Sequence, residues 1–127
     1  MTYLLDTHIL IWYLEDSPKL PETLIGIIDD PVMDICISAT SLWEITIKVG
    51  LGKLTLKMSL DELFNYVNTS DFRIIQIESG HLLALSQLPY IHKDPFDRLL
   101  IAVGKAEQIT IITDDDNIQK YDAEWKW

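Results

Sequence analysis

The chain has 127 residues, the usual length of one domain, and its 48% hydrophobic and 24% charged residues exclude disordered and low-complexity proteins. Twenty acidic residues against ten basic ones give a net charge of −10, which repels nucleic acids at long range. A nucleic-acid partner must therefore be attracted locally, by bound cations or by a few well-placed Lys and Arg side chains. The single cysteine, Cys36, excludes a disulfide framework within one chain and any cysteine-based zinc site.

The sequence contains neither a membrane-spanning pattern nor a targeting pattern. No apolar run reaches the roughly 18 residues that a transmembrane helix needs. The first residues lack the basic start and the small-residue cleavage site of a signal peptide. We therefore expect a soluble, cytoplasmic protein that forms one domain over residues 1–127.

Short apolar runs alternate with longer amphipathic runs, a pattern typical of α/β proteins with a parallel sheet. In chain order, the pattern predicts a strand at residues 3–5, a helix at 7–14, a helix beginning at Pro21, a strand at 33–37 and a helix at 39–49. It then predicts a helix capped by Ser59 and Glu62, a strand at 73–77 and a short helix at 80–87. A long helix opened by Pro95, a strand at 109–113, a short helix and an edge strand near Trp125 complete the chain.

Acidic residues follow the predicted strands. Asp6 comes directly after the first strand, Glu44 lies early in the helix after the second, Asp97 lies in the first turn of the Pro95 helix, and Asp114–Asp116 follow the fourth strand. In a parallel sheet all these positions face the crevice outside the carboxyl ends of the strands. The spacing along the chain is too wide for local contact, so only the fold can bring these residues together.

Helix capping explains each acid singly. Asp6 suits the N-cap of its helix, Ser41 and Glu44 fit a capping box, and Asp94 suits the N-cap of the helix in which Asp97 lies. Jointly, four carboxylates around one crevice repel each other unless a cation compensates them. Mg²⁺ and Mn²⁺ prefer carboxylate and water oxygens as ligands. Ions held by carboxylates in this way can catalyse phosphodiester hydrolysis.

Four segments carry a resemblance to a known family. They are LLDTH at 4–8, SLWEI at 41–45, DPFDRLLIA at 94–102 and ITDD at 112–115. In order and interval they resemble the four acidic motifs of the PIN-domain family, most closely the VapC-type toxins of toxin–antitoxin pairs. The resemblance implies a three-layer α/β/α fold with a central parallel sheet and a Mg²⁺- or Mn²⁺-dependent ribonuclease. It also implies an RNA substrate, a homodimer and an antitoxin partner.

The same resemblance implies the site residues. The catalytic and metal-binding acids correspond to Asp6, Glu44, Asp97 and, by a T-x-D pattern, Asp115, while Thr7 and Thr113 are expected to orient the carboxylates or a metal-bound water. Of the three consecutive aspartates, Asp116 is best placed to cap the last helix, and we expect Asp114 either to lie behind the metal-binding acids or to point into solvent. An antitoxin segment is expected on the helices around Trp12, bringing an Arg or Lys to the carboxylates.

The remaining basic and histidine residues give weaker indications. Arg98 is the basic residue best placed to contact an RNA phosphate, and a surface ion pair is the alternative. The three histidines share no metal-ligand spacing and are expected on the surface or on helix faces.

Two other functions fit parts of the sequence. A receiver domain has the same size and an acidic pocket, but it needs paired acids after the first strand and a lysine after the fifth, which are absent here. A PIN-like domain that has lost catalysis and acts as a binding module is the other alternative, against which the presence of all four acids argues.

Overall fold

The computed structural model describes all 127 residues and contains five strands and seven helices. The strands are β1 (Thr2–Leu5), β2 (Asp34–Ser38), β3 (Arg73–Ile75), β4 (Thr110–Ile112) and β5 (Trp125–Lys126). The helices are α1 (Thr7–Leu14), α2 (Glu22–Asp29), α3 (Ala39–Gly50), α4 (Leu60–Thr69), α5 (Ser79–Ser86), α6 (Pro95–Glu107) and α7 (Asp116–Gln119). None of these helices has the length and the apolar character that crossing a membrane requires.

All five strands are parallel and form one sheet in the order β3-β2-β1-β4-β5. The chain adds β2 and β3 on one side of β1 and then returns to add β4 and β5 on the other side. The direction of winding therefore reverses between β1 and β4, where Leu5 is paired with Ile112. Ligands of open parallel sheets bind in the crevice at such a reversal, outside the carboxyl ends of the strands.

Alternating side chains of the strands supply two cores, one on each face of the sheet. Tyr3 and Leu5 of β1 pack with α1, α2, α3 and α4, whereas Leu4 packs with α6 and with Ile118 of α7. Cys36 is fully buried in this second core, as its apolar strand predicts. The sheet is thus covered on both faces, and the predicted three-layer α/β/α fold with a central parallel sheet is confirmed.

Most predicted elements agree with the structure, and the differences have local causes. The Ser59–Glu62 capping box forms as predicted. β3 ends at Ile75 instead of residue 77 because its only neighbour, β2, ends at Ser38, which pairs with Ile75. The α6 face buries Leu100, Ala102 and Val103 as expected, whereas Ala106 is exposed.

Candidate active site

Asp6 lies directly after β1, begins α1 as its N-cap, and is 2% exposed. Its Oδ1 accepts a hydrogen bond from the backbone N–H of Thr7 at 2.7 Å, and its Oδ2 accepts one from the Thr113 hydroxyl at 2.7 Å. His8 Nδ1 lies 3.3 Å from the same Oδ2. Burial raises the pKa of Asp6, and these polar neighbours oppose the rise only in part. Asp6 therefore both caps α1 and lies in the crevice.

Glu44 is reached from α1 by a hydroxyl. Thr7 Oγ1 donates to Glu44 Oε1 at 2.7 Å and lies 2.9 Å from Ser41 Oγ. Lys48, one turn further along α3, donates to Glu44 Oε2, and this contact raises the pKa of Lys48. Glu44 is therefore buried with both oxygens bound by side chains.

The predicted capping box of Ser41 and Glu44 is wrong. α3 begins at Ala39, where the sequence predicts it, and its N-cap is therefore Ser38 at the end of β2, whose hydroxyl accepts the backbone N–H of Thr40 at 3.1 Å. Ser41 and Glu44 are thereby released from capping. Their side chains face Thr7 instead, in the direction of the crevice.

Asp97 lies in the first turn of α6, and Asp94 is the N-cap of that helix as predicted. Asp94 Oδ1 accepts the backbone N–H groups of Phe96 at 2.9 Å and of Asp97 at 3.1 Å. Asp97 Oδ2 lies 3.1 Å from His92 Nε2, and its Oδ1 accepts no hydrogen bond from the protein. Burial raises the pKa of Asp97 to about 7, with a smaller contribution from the nearby carboxylates.

The three consecutive aspartates have three different roles. Asp115 is the N-cap of α7, because its Oδ1 accepts the backbone N–H groups of Asn117 at 2.8 Å and of Ile118 at 3.2 Å. The prediction that Asp116 is the cap is wrong: the Thr113 hydroxyl accepts the Asp115 N–H at 3.0 Å and starts the turn one residue earlier. Asp116 is exposed in the first turn of α7. Asp114 contacts His8, which also contacts Asp6.

These side chains line one cleft of about 270 Å³ at the reversal of the sheet. We call it the acidic cleft; its polar lining consists of Asp6, Thr7, His8, Glu44, Lys48, Lys53, Asp94, Asp97 and Asp115. The fold thus brings together the four acids that the sequence singles out, from the end of β1, from α3, from α6 and from the turn after β4. Five carboxylates face two lysines there, and Asp6, Asp94 and Asp115 all raise the pKa of Asp97 by their charge.

A sequence model of the PIN domain matches residues 3–124. The chain belongs to the PIN domain family. No curated protein matches it. Among solved structures, it is similar to VapBC2 from Rickettsia felis bound to a promoter DNA fragment, with 18% identity over 99% of this chain and 98% of that chain and a TM-score of 0.75. VapBC from Salmonella typhimurium bound to DNA has 14% identity over 99% and 97% of the two chains and a TM-score of 0.71. A toxin–antitoxin complex from Klebsiella pneumoniae has 21% identity over 89% and 86% and a TM-score of 0.59.

The donor chemistry of the acidic cleft suits the divalent cation that PIN domains generally use. The acids offer only oxygen ligands, which Mg²⁺ and Mn²⁺ prefer. Asp97 Oδ1 and Asp115 Oδ2 have no protein partner, whereas Asp6 and Glu44 have both oxygens bound by protein groups. As the side chains stand, no three acidic, histidine or cysteine side chains are arranged to hold an ion together. The residues fit such a cation by chemistry and charge, since a carboxylate oxygen that accepts one hydrogen bond keeps a second lone pair for it.

Arg98 was predicted to contact an RNA phosphate, but its side chain is buried inside the protein. It is 5% exposed, and its guanidinium donates to the carbonyl of Pro89 at 2.7 Å and to the Tyr121 hydroxyl at 3.0 Å. It is therefore neither a phosphate contact nor a surface ion pair. The basic residues that do line the acidic cleft are Lys48 and Lys53.

His8 and His81 lie on helices α1 and α5, as expected, whereas His92 lies in the segment before α6. His81 is buried between α5 and α6, where its Nε2 lies 3.0 Å from Glu107. His8 and His92 contact the acids of the cleft through Asp6 and Asp97, roles that the sequence reasoning missed. One contact of the cleft that was missed could have been found in the sequence: Glu44 and Lys48 are four residues apart in a helix, a spacing that favours an ion pair.

Proposed function

We propose that this PIN domain is a Mg²⁺- or Mn²⁺-dependent endoribonuclease and the VapC-type toxin of a toxin–antitoxin pair. The observation that carries the proposal is the acidic cleft, in which five carboxylates face two lysines at the reversal of a parallel sheet. Such an arrangement is unfavourable by itself and favourable around a divalent cation. Membership in the PIN domain family removes the receiver-domain alternative.

Asp6, Glu44, Asp97 and Asp115 are the proposed metal-binding and catalytic residues. A divalent cation held by them would make a water molecule nucleophilic and offset the charge of the leaving oxygen. Thr7 and Thr113 keep Glu44 and Asp6 in place through their hydroxyl groups. A buried carboxylate that is already oriented needs little rearrangement when the substrate arrives, which favours catalysis.

Lys53 is the proposed phosphate contact in place of Arg98. It lines the acidic cleft, is exposed, and its ammonium group has no ion-pair partner within the chain. Lys48 is less suitable, because Glu44 already holds its ammonium group. The net charge of −10 repels RNA at long range, so RNA must be attracted by the bound cation and by local contacts. Lys53 can supply such a contact.

Protein partners complete the proposal. The similar structures from Rickettsia felis, Salmonella typhimurium and Klebsiella pneumoniae support an antitoxin partner. A groove lined by Trp12, Tyr13, Leu20, Ile25 and Tyr66, with Asp16 and Asp29 at its edge, offers the apolar and acidic surface that a basic amphipathic segment requires. Exposed Leu82 and Leu83 of α5, with Tyr90 and Ile91 beyond it, support a homodimer.

The test is RNA cleavage by the purified protein and its Asp6→Asn variant. Asparagine keeps the shape and most of the capping ability of Asp6 and removes its charge. We expect wild-type cleavage to require Mg²⁺ or Mn²⁺ and to stop with a chelator, and Asp6→Asn to lose at least about a hundredfold in rate. Asp61→Asn, an exposed change in α4, is the matched control and should cleave like the wild type.

The opposite result would support the binding module. If the wild-type protein cleaves no RNA with either cation, or if Asp6→Asn cleaves as fast as Asp61→Asn, the nuclease assignment to this cleft is wrong. Expression in a host cell adds a second readout. The wild type without a partner should inhibit growth, and Asp6→Asn should not.

A further inference from the structure

Asp97 is the end of a chain of hydrogen bonds that begins inside the protein. Arg98 Nη1 lies 3.0 Å from the Tyr121 hydroxyl, this hydroxyl lies 2.8 Å from His92 Nδ1, and His92 Nε2 lies 3.1 Å from Asp97 Oδ2. Arg98 and Tyr121 are buried, and His92 is largely so. We call these four residues the Asp97 relay. It joins α6, the segment before α6 and the segment after α7, so packing holds every member in place.

The chemistry of the donors sets the direction of the Asp97 relay. The Arg98 guanidinium has only N–H donors, so the Tyr121 oxygen must accept from it. The backbone N–H of His92, 3.3 Å away, also donates to this oxygen. The only proton that the Tyr121 hydroxyl can give then goes to His92 Nδ1, because no other acceptor contacts the hydroxyl. With Nδ1 accepting, the ring proton lies on Nε2 and is donated to Asp97.

We propose that His92 is a positioning residue for Asp97: Tyr121 and Arg98 fix it as an Nε2–H donor that holds Asp97 Oδ2 and leaves Oδ1 to the acidic cleft. Asp97 Oδ1 has no protein partner, which agrees with this division of the two oxygens. The claim that His92 positions a metal ligand rests on the proposed function. The claim that His92 is held in one tautomer does not, because it follows from hydrogen bonds within the protein alone.

Arg98 makes the Asp97 relay stiff at its buried end. Besides donating to Tyr121 and to the Pro89 carbonyl, the guanidinium lies 4.0 Å from the centre of the Tyr90 ring. The segment that carries His92 is therefore attached to α6 through Arg98 as well as through Asp97. Partners that orient a metal-binding side chain in this way change metal affinity about 10- to 100-fold when they are removed.

The tautomer is tested by nitrogen-15 NMR of metal-free protein labelled at histidine. We expect His92 to show one protonated nitrogen, Nε2, and one unprotonated nitrogen, Nδ1, and Tyr121→Phe to produce a mixture of the two tautomers. Tyr3→Phe is the matched control, because it removes the same hydroxyl from a tyrosine whose hydroxyl group hydrogen-bonds only to Met1 Sδ. His81, whose Nδ1 accepts the Glu78 backbone N–H, is an internal reference that both variants leave unchanged.

The positioning role is tested by Mn²⁺ titration calorimetry on two His92 variants, each shown by its thermal melt to be folded. The amide nitrogen of glutamine can replace Nε2–H, so His92→Gln should bind Mn²⁺ within about threefold of the wild type. His92→Leu has no donor and should bind at least about tenfold more weakly. Equal weakening in both variants, or none in His92→Leu, would show that the donor is not what matters and would overturn the positioning role.

The two tests separate this inference from the proposed function. Wild-type protein that binds no Mn²⁺ would overturn the proposed function and the positioning of a metal ligand together. Normal Mn²⁺ binding with a wild-type His92 protonated on Nδ1, or with a tautomer that Tyr121→Phe does not alter, would overturn the Asp97 relay alone.

Discussion

At Asp97, burial and the charges of Asp6, Asp94 and Asp115 act in the same direction and raise the pKa to about 7. The pKa of Asp6 is raised as well, mainly by burial. In the unfolded chain both groups ionise near pH 4. The folded, metal-free protein therefore binds protons at these sites more tightly than the unfolded chain, and deprotonation favours unfolding.

The pH dependence of stability follows from this sign. Without metal, we expect the free energy of unfolding to fall as the pH rises from about 4 through about 7, with Asp97 contributing on the order of 1–3 kcal/mol. Urea denaturation in a chelator at about pH 5 and about pH 8 measures the fall. Asp97→Asn removes the titrating group and should reduce the fall, whereas Asp61→Asn should not. An undiminished fall in Asp97→Asn would contradict the account of this residue.

Individual residues also show where sequence reasoning succeeds and where it fails. Asp6 and Asp94 are caps that could be predicted, because their partners are backbone groups within three residues. The burial of Arg98 could not be predicted, since its partners Leu88, Pro89 and Tyr121 lie in connecting segments outside α6. Its neighbour Asp97 belongs to the cleft, and the sequence pattern alone does not distinguish the two environments.

At the scale of elements, competing caps are the main source of error. Both Ser38 and Ser41 fit the N-cap of α3, and Asp115 and Asp116 both fit that of α7. The choice depends on where the preceding strand ends, and that point is set by pairing with a neighbouring strand. β4 pairs with β1 up to Ile112, and the hydroxyl of Thr113 then accepts the N–H of Asp115. Strand register is a non-local property, so local sequence leaves helix starts uncertain by a few residues.

The two roles of Asp115 can be separated by substitution. Asp115→Ala removes the cap and the charge and should destabilise the protein by about 1 kcal/mol, whereas Asp115→Asn keeps most of the cap. Both should lose RNA cleavage, because both remove a carboxylate from the acidic cleft. Denaturant unfolding and a cleavage assay measure the two effects.

Asp116→Ala is the matched control for these variants. Asp116 is exposed and contributes only through its favourable position near the start of α7, worth about 0.3–1 kcal/mol at most. It should retain cleavage. A larger loss of stability in Asp116→Ala than in Asp115→Ala would contradict the capping assignment.

For the whole molecule, the site depends on the winding of the sheet. β1 and β4 are neighbours although more than a hundred residues separate Asp6 from Asp115 in the chain, and α3 and α6 approach from opposite faces. The alternation of apolar and amphipathic runs predicted a parallel sheet, and the acids at strand ends predicted a shared crevice. Periodicity carries no information on strand order, so the partners of each carboxylate, such as Thr7 for Glu44 and His92 for Asp97, required the structure.

The central claim is that these carboxylates form one cation site, and metal-dependent stability tests it most directly. At a free Mn²⁺ concentration about ten times the dissociation constant, the folded state gains about 1.4 kcal/mol, a rise in Tm of about 4–6 °C for a domain of this size. Thermal melts should show this rise in wild type and Asp61→Asn relative to sodium chloride of equal ionic strength, and less than half of it in Asp6→Asn. Equal Tm values in Mn²⁺ and sodium chloride for the wild type, or an undiminished rise in Asp6→Asn, would contradict the account.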